Sequence, residues 1–303
     1  MTTKTKTTSK PKAKDTVEPS DLLAKAMLVR FSVHGWAAKV NDRKISKEVA
    51  EQHKNEETMG RYIKSLLKSE HLDAYNQVGR EAYTVHRTMT LPWDDGTGLL
   101  PSANFWKYNE RMEELKRKAD EHASAFVKEY EAQWNNGMAK FQELLGDLFD
   151  KDDYPHPERL KQRFGIRVRV RPLTNPNDFR VQLGSGQTEA IREQIANDLR
   201  EELQSAMKDP FLRLYNVVEK VAEKLSDADA IFRDSLIDNV KDLVEILPAL
   251  NVTEDPELDK MIAQIKKDLC VSDIDPLRKD EDFRKDVAKS AKEILAGMKG
   301  YVS

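Results

Sequence analysis

The chain has 303 residues, with 50 Lys or Arg against 53 Asp or Glu, a formal net charge of −3, 39% hydrophobic and 34% charged content. That length can bury one large core or two ordinary ones, and the charge balance excludes a globally basic nucleic-acid binder while leaving room for a local basic patch. A single cysteine, Cys270, excludes an intramolecular disulfide framework and a cysteine-based metal site. Residues 1–18 open the chain as a basic arm. Lys4, Lys6, Lys10, Lys12 and Lys14 stand among threonines with no acid before Asp15, too polar to offset chain entropy by burial, so disorder is expected. Such an arm either touches phosphate or only solubilises the chain.

From Met27 the pattern changes. Val29, Phe31 and Val33 alternate with Arg30, Ser32 and His34, which predicts a half-buried strand near 28–34. Asn41-Asp42 reads as a turn, with Ser46 capping a short helix that runs to Lys54. Leu72, Tyr75, Val78, Ala82, Val85 and Met89 then recur at three- and four-residue steps and predict a helix over 70–89. After an apolar corner at Thr90–Pro101 comes the longest pattern, from Phe105 through Tyr108, Met112, Leu115, Ala119, Phe126, Tyr130, Phe141 and Leu145 to Leu148. Its early steps have the period of a coiled-coil seam. A straight helix of that length would span roughly 65 Å, so the pattern implies a bend near Asn135-Asn136-Gly137 or a protruding arm.

Pro157 sits where a first helical turn accepts proline, and Gly165 where a helix stops. Two strands are predicted next, at 166–171 and 178–183, around the Asn-Pro-Asn turn at 175–177. The rest is helical, with Pro210 breaking the first stripe and further helices near 228–247, 256–269 and 280–298. The expected fold is therefore mainly α (α+β): long antiparallel amphipathic helices with a small sheet of about three strands near 28–34, 166–171 and 178–183. Residues 19–300 form one helical domain, or divide near 184–188 into 19–183 and 188–300. There is no apolar run of about 18 residues and no charged-then-apolar leader, so no membrane span or secretory signal is predicted and the expected location is cytoplasmic.

Catalytic signatures are thin: no Walker loop, no His-Glu-x-x-His and no Gly-x-Ser-x-Gly occurs, and no catalytic residue, metal site or cofactor is predicted. Gly184-Ser185-Gly186 reads as a strand-to-helix turn capped by Ser185 or Thr188, since a phosphate loop would need a third glycine and a following lysine. Asp147, Asp150, Asp152 and Asp153 could attract a divalent cation, but the glycine and terminal glutamate of a calcium loop are missing. His86 and His156 have no nearby sequence partner at ligand or triad spacing and read as structural histidines, and Cys270 closes an apolar helix face. The most suggestive patch is basic: Arg159, Lys161, Arg163, Arg167, Arg169, Arg171 and Arg180 outnumber Glu158 and Asp178. Strand alternation puts Arg167, Arg169 and Arg171 on one sheet face about 6.8 Å apart, comparable to the repeat of phosphates along a nucleic-acid strand. The alternative is a solvated face neutralised by Glu and Asp from neighbouring helices, and no aromatic is interleaved for base stacking.

The corner carries a resemblance. Leu91, Pro92, Trp93, Asp95, Gly96, Leu100, Pro101, Asn104 and Tyr108, in that order, resemble a family of phage, plasmid and mobile-element proteins described as domain of unknown function 3150. Leu145–Phe149 with Asp153–Pro155, Asp178–Val181, Phe232–Asp234 through Asn239, and Leu247–Asn251 leading to Asp255–Leu258 look like further blocks of it, and together they cover roughly residues 25–295. The resemblance brings no established catalytic residues. It implies an accessory role beside a MoxR-type ATPase and a von Willebrand A-type protein in an ATP-driven assembly. Two main expectations result. One is a non-catalytic helical adaptor or scaffold, self-associating or bound to a protein partner through the Phe105–Leu148 seam. The other is a nucleic-acid-binding protein of phage DNA metabolism that contacts DNA through the Arg167, Arg169 and Arg171 face. A metal-dependent hydrolase built on Asp147–Asp153 is a third.

Overall fold

Apolar side chains at helical spacing, separated by Lys and Glu, put most of the chain into helix, and a computed structural model is 69% helical. It describes residues 19–56, 58–94, 96–178, 185–227, 233–271 and 274–301. In chain order the elements are α1 (Pro19–Lys25), β1 (Ala26–His34), β2 (Lys39–Asp42), α2 (Arg43–His53), β3 (Tyr62–Ser65), α3 (Glu70–Met89), β4 (Leu91–Pro92) and β5 (Thr97–Pro101). They continue with α4 (Phe105–Asn135), α5 (Ala139–Leu145), α6 (Pro157–Lys161), β6 (Gly165–Arg171), α7 (Ser185–Ala206) and α8 (Lys208–Ser226). The last four are α9 (Ser235–Leu250), α10 (Pro256–Asp268), α11 (Asp275–Lys279) and α12 (Glu281–Met298). One sheet has the order β4-β5-β1-β6, and β2 and β3 form a separate antiparallel pair with Val40 opposite Lys64. No described helix is long and apolar enough to cross a membrane.

The mainly helical class with a small sheet is as expected, but the strand inventory differs. Of the three predicted strands, β1 and β6 form. Asp178 instead ends a 3-10 turn at Pro176–Asp178, and 179–183 lie outside the described residues, as do the 1–18 arm, Asp95, Arg180 and Phe232. Asn41 and Asp42 are not a turn but the end of β2. The helix after them is capped by Asp42, whose carboxylate accepts from the Ile45 amide at 3.1 Å, while Ser46 donates to the Asp42 carbonyl at 2.6 Å.

The chain forms two compact units. The first takes the described parts of Met1–Val29, Met89–Phe105 and Val170–Ser303, and Ser185–Thr188 fall within it. Its core is built from α7–α12 side chains such as Leu203, Phe211, Leu214, Val218, Leu247, Leu258 and Ala291, together with Leu22, Leu91 and Leu99. The Thr90–Pro101 corner is a β-hairpin here, with Leu91 opposite Leu99 and Pro92 opposite Gly98. Its turn is closed by the Trp93 amide donating to the Thr97 carbonyl at 3.1 Å, and Gly96 takes the left-handed φ of +77° that L side chains resist. Leu91, Leu99 and Leu100 are fully buried, and Arg213 donates to the Thr90 carbonyl at 2.8 Å. The break between α7 and α8 falls at Met207, three residues before Pro210, which lies in the first turn of α8 where its missing N–H is tolerated. Asn251 fixes the corner between α9 and α10: its amide donates to the Asp255 carbonyl at 3.0 Å and to Asp259 at 2.9 Å, and accepts from the Asp255 amide at 2.8 Å.

The second unit takes Arg30–Thr88 and Trp106–Arg169. Here α3 and α4 lie antiparallel, because partners on α4 advance as those on α3 recede: His86 meets Tyr108, Glu81 meets Arg111, and Ser69 meets Glu129. The seam is consumed in this packing. Tyr108, Met112, Leu115, Ala119, Phe126 and Tyr130 are all at most 1% exposed. α4 stops at Asn135 after 31 residues, roughly 46 Å. Gly137 at φ +68° and Met138 at +60° then turn the chain, so the bend forms where the Asn-Asn-Gly sequence lies. Beyond it Phe141 stacks on Tyr154 at 5.2 Å and lies 6.0 Å from Tyr130, closing an aromatic core with Trp36 and Phe126. The buried tyrosines are satisfied, Tyr130 donating to the Pro155 carbonyl and Tyr154 to that of Leu66, both at 2.7 Å.

Candidate functional site

β6 forms because β-branched Ile166, Val168 and Val170 occupy alternate positions, and the residues between them are arginines. In β1, Phe31 stacks on His86 of α3 at 5.3 Å, and Val33 lies so close to Gly79 that a Cβ there would sit 3.1 Å from it. α3 therefore covers the apolar face of β1, and buried Ile166 marks the covered face of β6. The Tyr75 hydroxyl donates to the His34 carbonyl and accepts from the Gly165 amide at 2.9 Å, tying the end of β1 to the start of β6. The strands thus run antiparallel, with Arg30 toward the Arg169 end. Alternation leaves Arg30, Ser32 and His34 of β1 on the uncovered face with Arg167 and Arg169 of β6. All of these but half-buried Ser32 are exposed, as is Arg163 just before the strand. Arg171 is exposed at the end of β6, in the stretch assigned to the first unit.

Ion pairing separates this face from the helices. Arg111 is held by Glu81 and Glu114, Lys116 by Glu113, Arg117 by Glu121, Lys118 by Glu114 and Lys161 by Glu131. Arg30, Arg163, Arg167, Arg169 and Arg171 make no ion pair with any described residue. The neutralised face allowed by the sequence does not form among the described residues. Arg30 and His34 belong to the patch although sequence reasoning did not include them. Their signal was the polar half of the β1 alternation.

The other candidates have structural partners. Lys64 is 4% exposed and reaches Asp153 at 2.7 Å, Asp42 at 3.4 Å and the Leu148 carbonyl at 2.8 Å. Burial would drive its ammonium down, but Asp153 and then Asp42 more than reverse this and hold it above its ordinary value. The Asp147–Asp153 cluster is accordingly split. Asp153 is committed to Lys64, and Asp150 caps a 3-10 turn by accepting from the Asp152 amide at 2.9 Å. No group of His, Cys, Asp or Glu suited to a metal ion occurs among the described residues. His86 is buried with its Nδ1 2.9 Å from the Tyr108 hydroxyl, and burial lowers its pKa to about 4. His156 caps α6, and half-buried Cys270 packs on the core of the first unit, its thiol pushed up by burial.

Among the described residues, the corner gathers no acid–base set. Leu91, Leu100 and Pro101 are buried, Trp93 packs on the core beside Glu202, and Tyr108 belongs to the α3–α4 contact. Pro92 pairs with Gly98, Gly96 makes the turn, and Asn104 ends a 3-10 turn at Ser102–Asn104. Ser185 and Gly186 open α7, and Gly184 lies outside the described residues. Comparison with known protein families, curated proteins and solved structures returns no match.

Proposed function

We propose that the chain binds the phosphate backbone of a nucleic acid through Arg30, Arg163, Arg167 and Arg169 of its second unit. The observation that carries this is the exposed row of arginines without an ion pair to any described residue, in a chain whose helical cations are repeatedly matched by carboxylates three or four residues away. Guanidinium groups pair with phosphate in bidentate geometry and stay charged at any physiological pH. The net charge of −3 is no obstacle, because screening limits distant charges to about 8–10 Å at ordinary ionic strength. Fluorescence anisotropy with labelled DNA at low salt tests the reading. Binding should appear, weaken as salt rises and drop when Arg167 and Arg169 are both replaced by alanine. Absence of binding at low ionic strength counts against it.

The adaptor reading has a different support. Its seam is buried inside the second unit, but Val49, Met59, Tyr62 and Ile63, on and around α2 and β3, remain exposed, Met59 at 74% and Ile63 at 60%. Such residues favour a protein partner, and the resemblance to the mobile-element family would make that partner part of an assembly with a MoxR-type ATPase. A monomer in light scattering that retains no such ATPase in pull-down would remove this reading.

A further inference from the structure

We infer that the arginine face takes single-stranded nucleic acid in preference to duplex; this rests on the phosphate-binding reading above and specifies its substrate. Three features of the second unit point that way. First, the cations lie in two adjacent rows, Arg30 on β1 with Arg167 and Arg169 on β6, and neighbouring strands are about 4.8 Å apart. Rows that close converge on one phosphate track. Duplex readers instead insert a helix or a two-stranded ribbon into a major groove about 12 Å wide. The face here is part of a sheet whose other side is closed by α3, so it presents a floor and not a ridge.

Second, every cation of the patch that lacks an ion pair among the described residues is an arginine, while Lys161 nearby is paired with Glu131 at 3.5 Å. A guanidinium plane stacks on a base as well as pairing with phosphate, and only an unpaired strand turns its base faces outward to be stacked on. Third, His34 lies exposed on the same face, at the opposite end of the β1 row from Arg30. Its Nε2 is 3.0 Å from the Ser32 hydroxyl, a contact that orients the ring. β6 itself carries no aromatic among its arginines. The fold supplies one from β1, and stacking platforms of this kind give single-strand binding its tolerance of sequence.

The test is fluorescence anisotropy at pH 8 with the full chain, a 5′-labelled 20-nucleotide DNA of mixed sequence, and the same strand annealed to its complement. The expected result is at least tenfold tighter binding of the single strand. His34→Ala should weaken single-strand binding about fivefold without changing its salt dependence, because a lost stacking contact removes no charge. Arg167→Ala should flatten the salt dependence, and circular dichroism of each variant checks that it is folded. Duplex bound as tightly as single strand, with both losing affinity in Arg167→Ala/Arg169→Ala, overturns the single-strand inference and leaves the phosphate reading standing. No binding of either form at 50 mM salt, or binding indifferent to the arginines, overturns the reading beneath it as well.

Discussion

Replacing Lys64 by methionine keeps the length of the side chain and removes the charge on which two carboxylates and a carbonyl converge. Asp153, 2.7 Å away, and Asp42 at 3.4 Å have side chains only 18% and 16% exposed, so both are left poorly solvated with no counter-charge. Breaking a buried pair from one side costs about 3–5 kcal/mol. The residual exposure lets water reach both carboxylates, which brings the expected loss to about 2–3 kcal/mol. In urea unfolding followed by tryptophan fluorescence, in a Trp93→Phe background that removes the tryptophan of the first unit, this lowers the midpoint by about 1 M. The pH dependence gives a second readout. The Asp42 carboxyl is held below its ordinary 3.8, first by the Ile45 amide and then by Lys64 against the opposing effect of burial. A depressed folded value means that its stabilisation is present above the unfolded pKa and lost as pH falls through the folded one. The gap between wild type and Lys64→Met is therefore widest at neutral pH and narrows below about pH 4 as Asp42 takes up its proton. A midpoint unchanged at pH 7, or a gap that does not narrow in acid, would refute the assignment of Lys64 as the clamp between β3 and the Leu148–Asp153 segment.

His86 should titrate near pH 4 in an NMR titration of its ring, because burial disfavours the imidazolium. A base whose folded pKa is depressed destabilises the fold as pH falls from about 6.5 toward 4, by about 3 kcal/mol in all; a ring titrating at 6.5 would contradict its burial. Asn251→Ala removes three hydrogen bonds at the corner between α9 and α10 and should cost about 2–4 kcal/mol in thermal or urea unfolding. Asn251→Asp, which faces Asp259 with a second carboxylate, should be worse at pH 7 than at pH 4. Tyr75→Phe leaves the His34 carbonyl and the Gly165 amide without their shared hydroxyl and should cost about 1–3 kcal/mol, with faster amide hydrogen exchange at Gly165.

The helices were legible because their signal is local. The spacing of Leu72, Tyr75, Val78 and Ala82 marks α3 without knowledge of what covers it. The same locality misleads about partners. The seam from Tyr108 to Tyr130 has the period of an intermolecular coiled coil, but periodicity reports only that one face is buried, and here α3 of the same chain helps cover it. β1 and β6 were legible from their alternation. The hairpin of β4 and β5 was not, since Thr97–Pro101 is almost wholly buried and has no alternating pattern to detect. β3 broke the usual rule by turning Lys64 inward, which makes sense only with Asp153, 89 positions away. The candidate site was half visible for the same reason. Arg167 and Arg169 were apparent in one strand, but Arg30 and His34 join them through a β1–β6 pairing that no local pattern encodes.

Phosphate binding by Arg30, Arg167 and Arg169 on one sheet face, with Arg163 just before β6, is proposed above, and the slope of log Kobs against log salt measures it directly. Four arginines on a single strand, at about 0.7 each, predict a slope of about −3 for the wild type, and Arg167→Ala/Arg169→Ala should reduce its magnitude by about 1.4. Equal slopes for wild type and double variant, or no binding at 50 mM salt, would contradict the account.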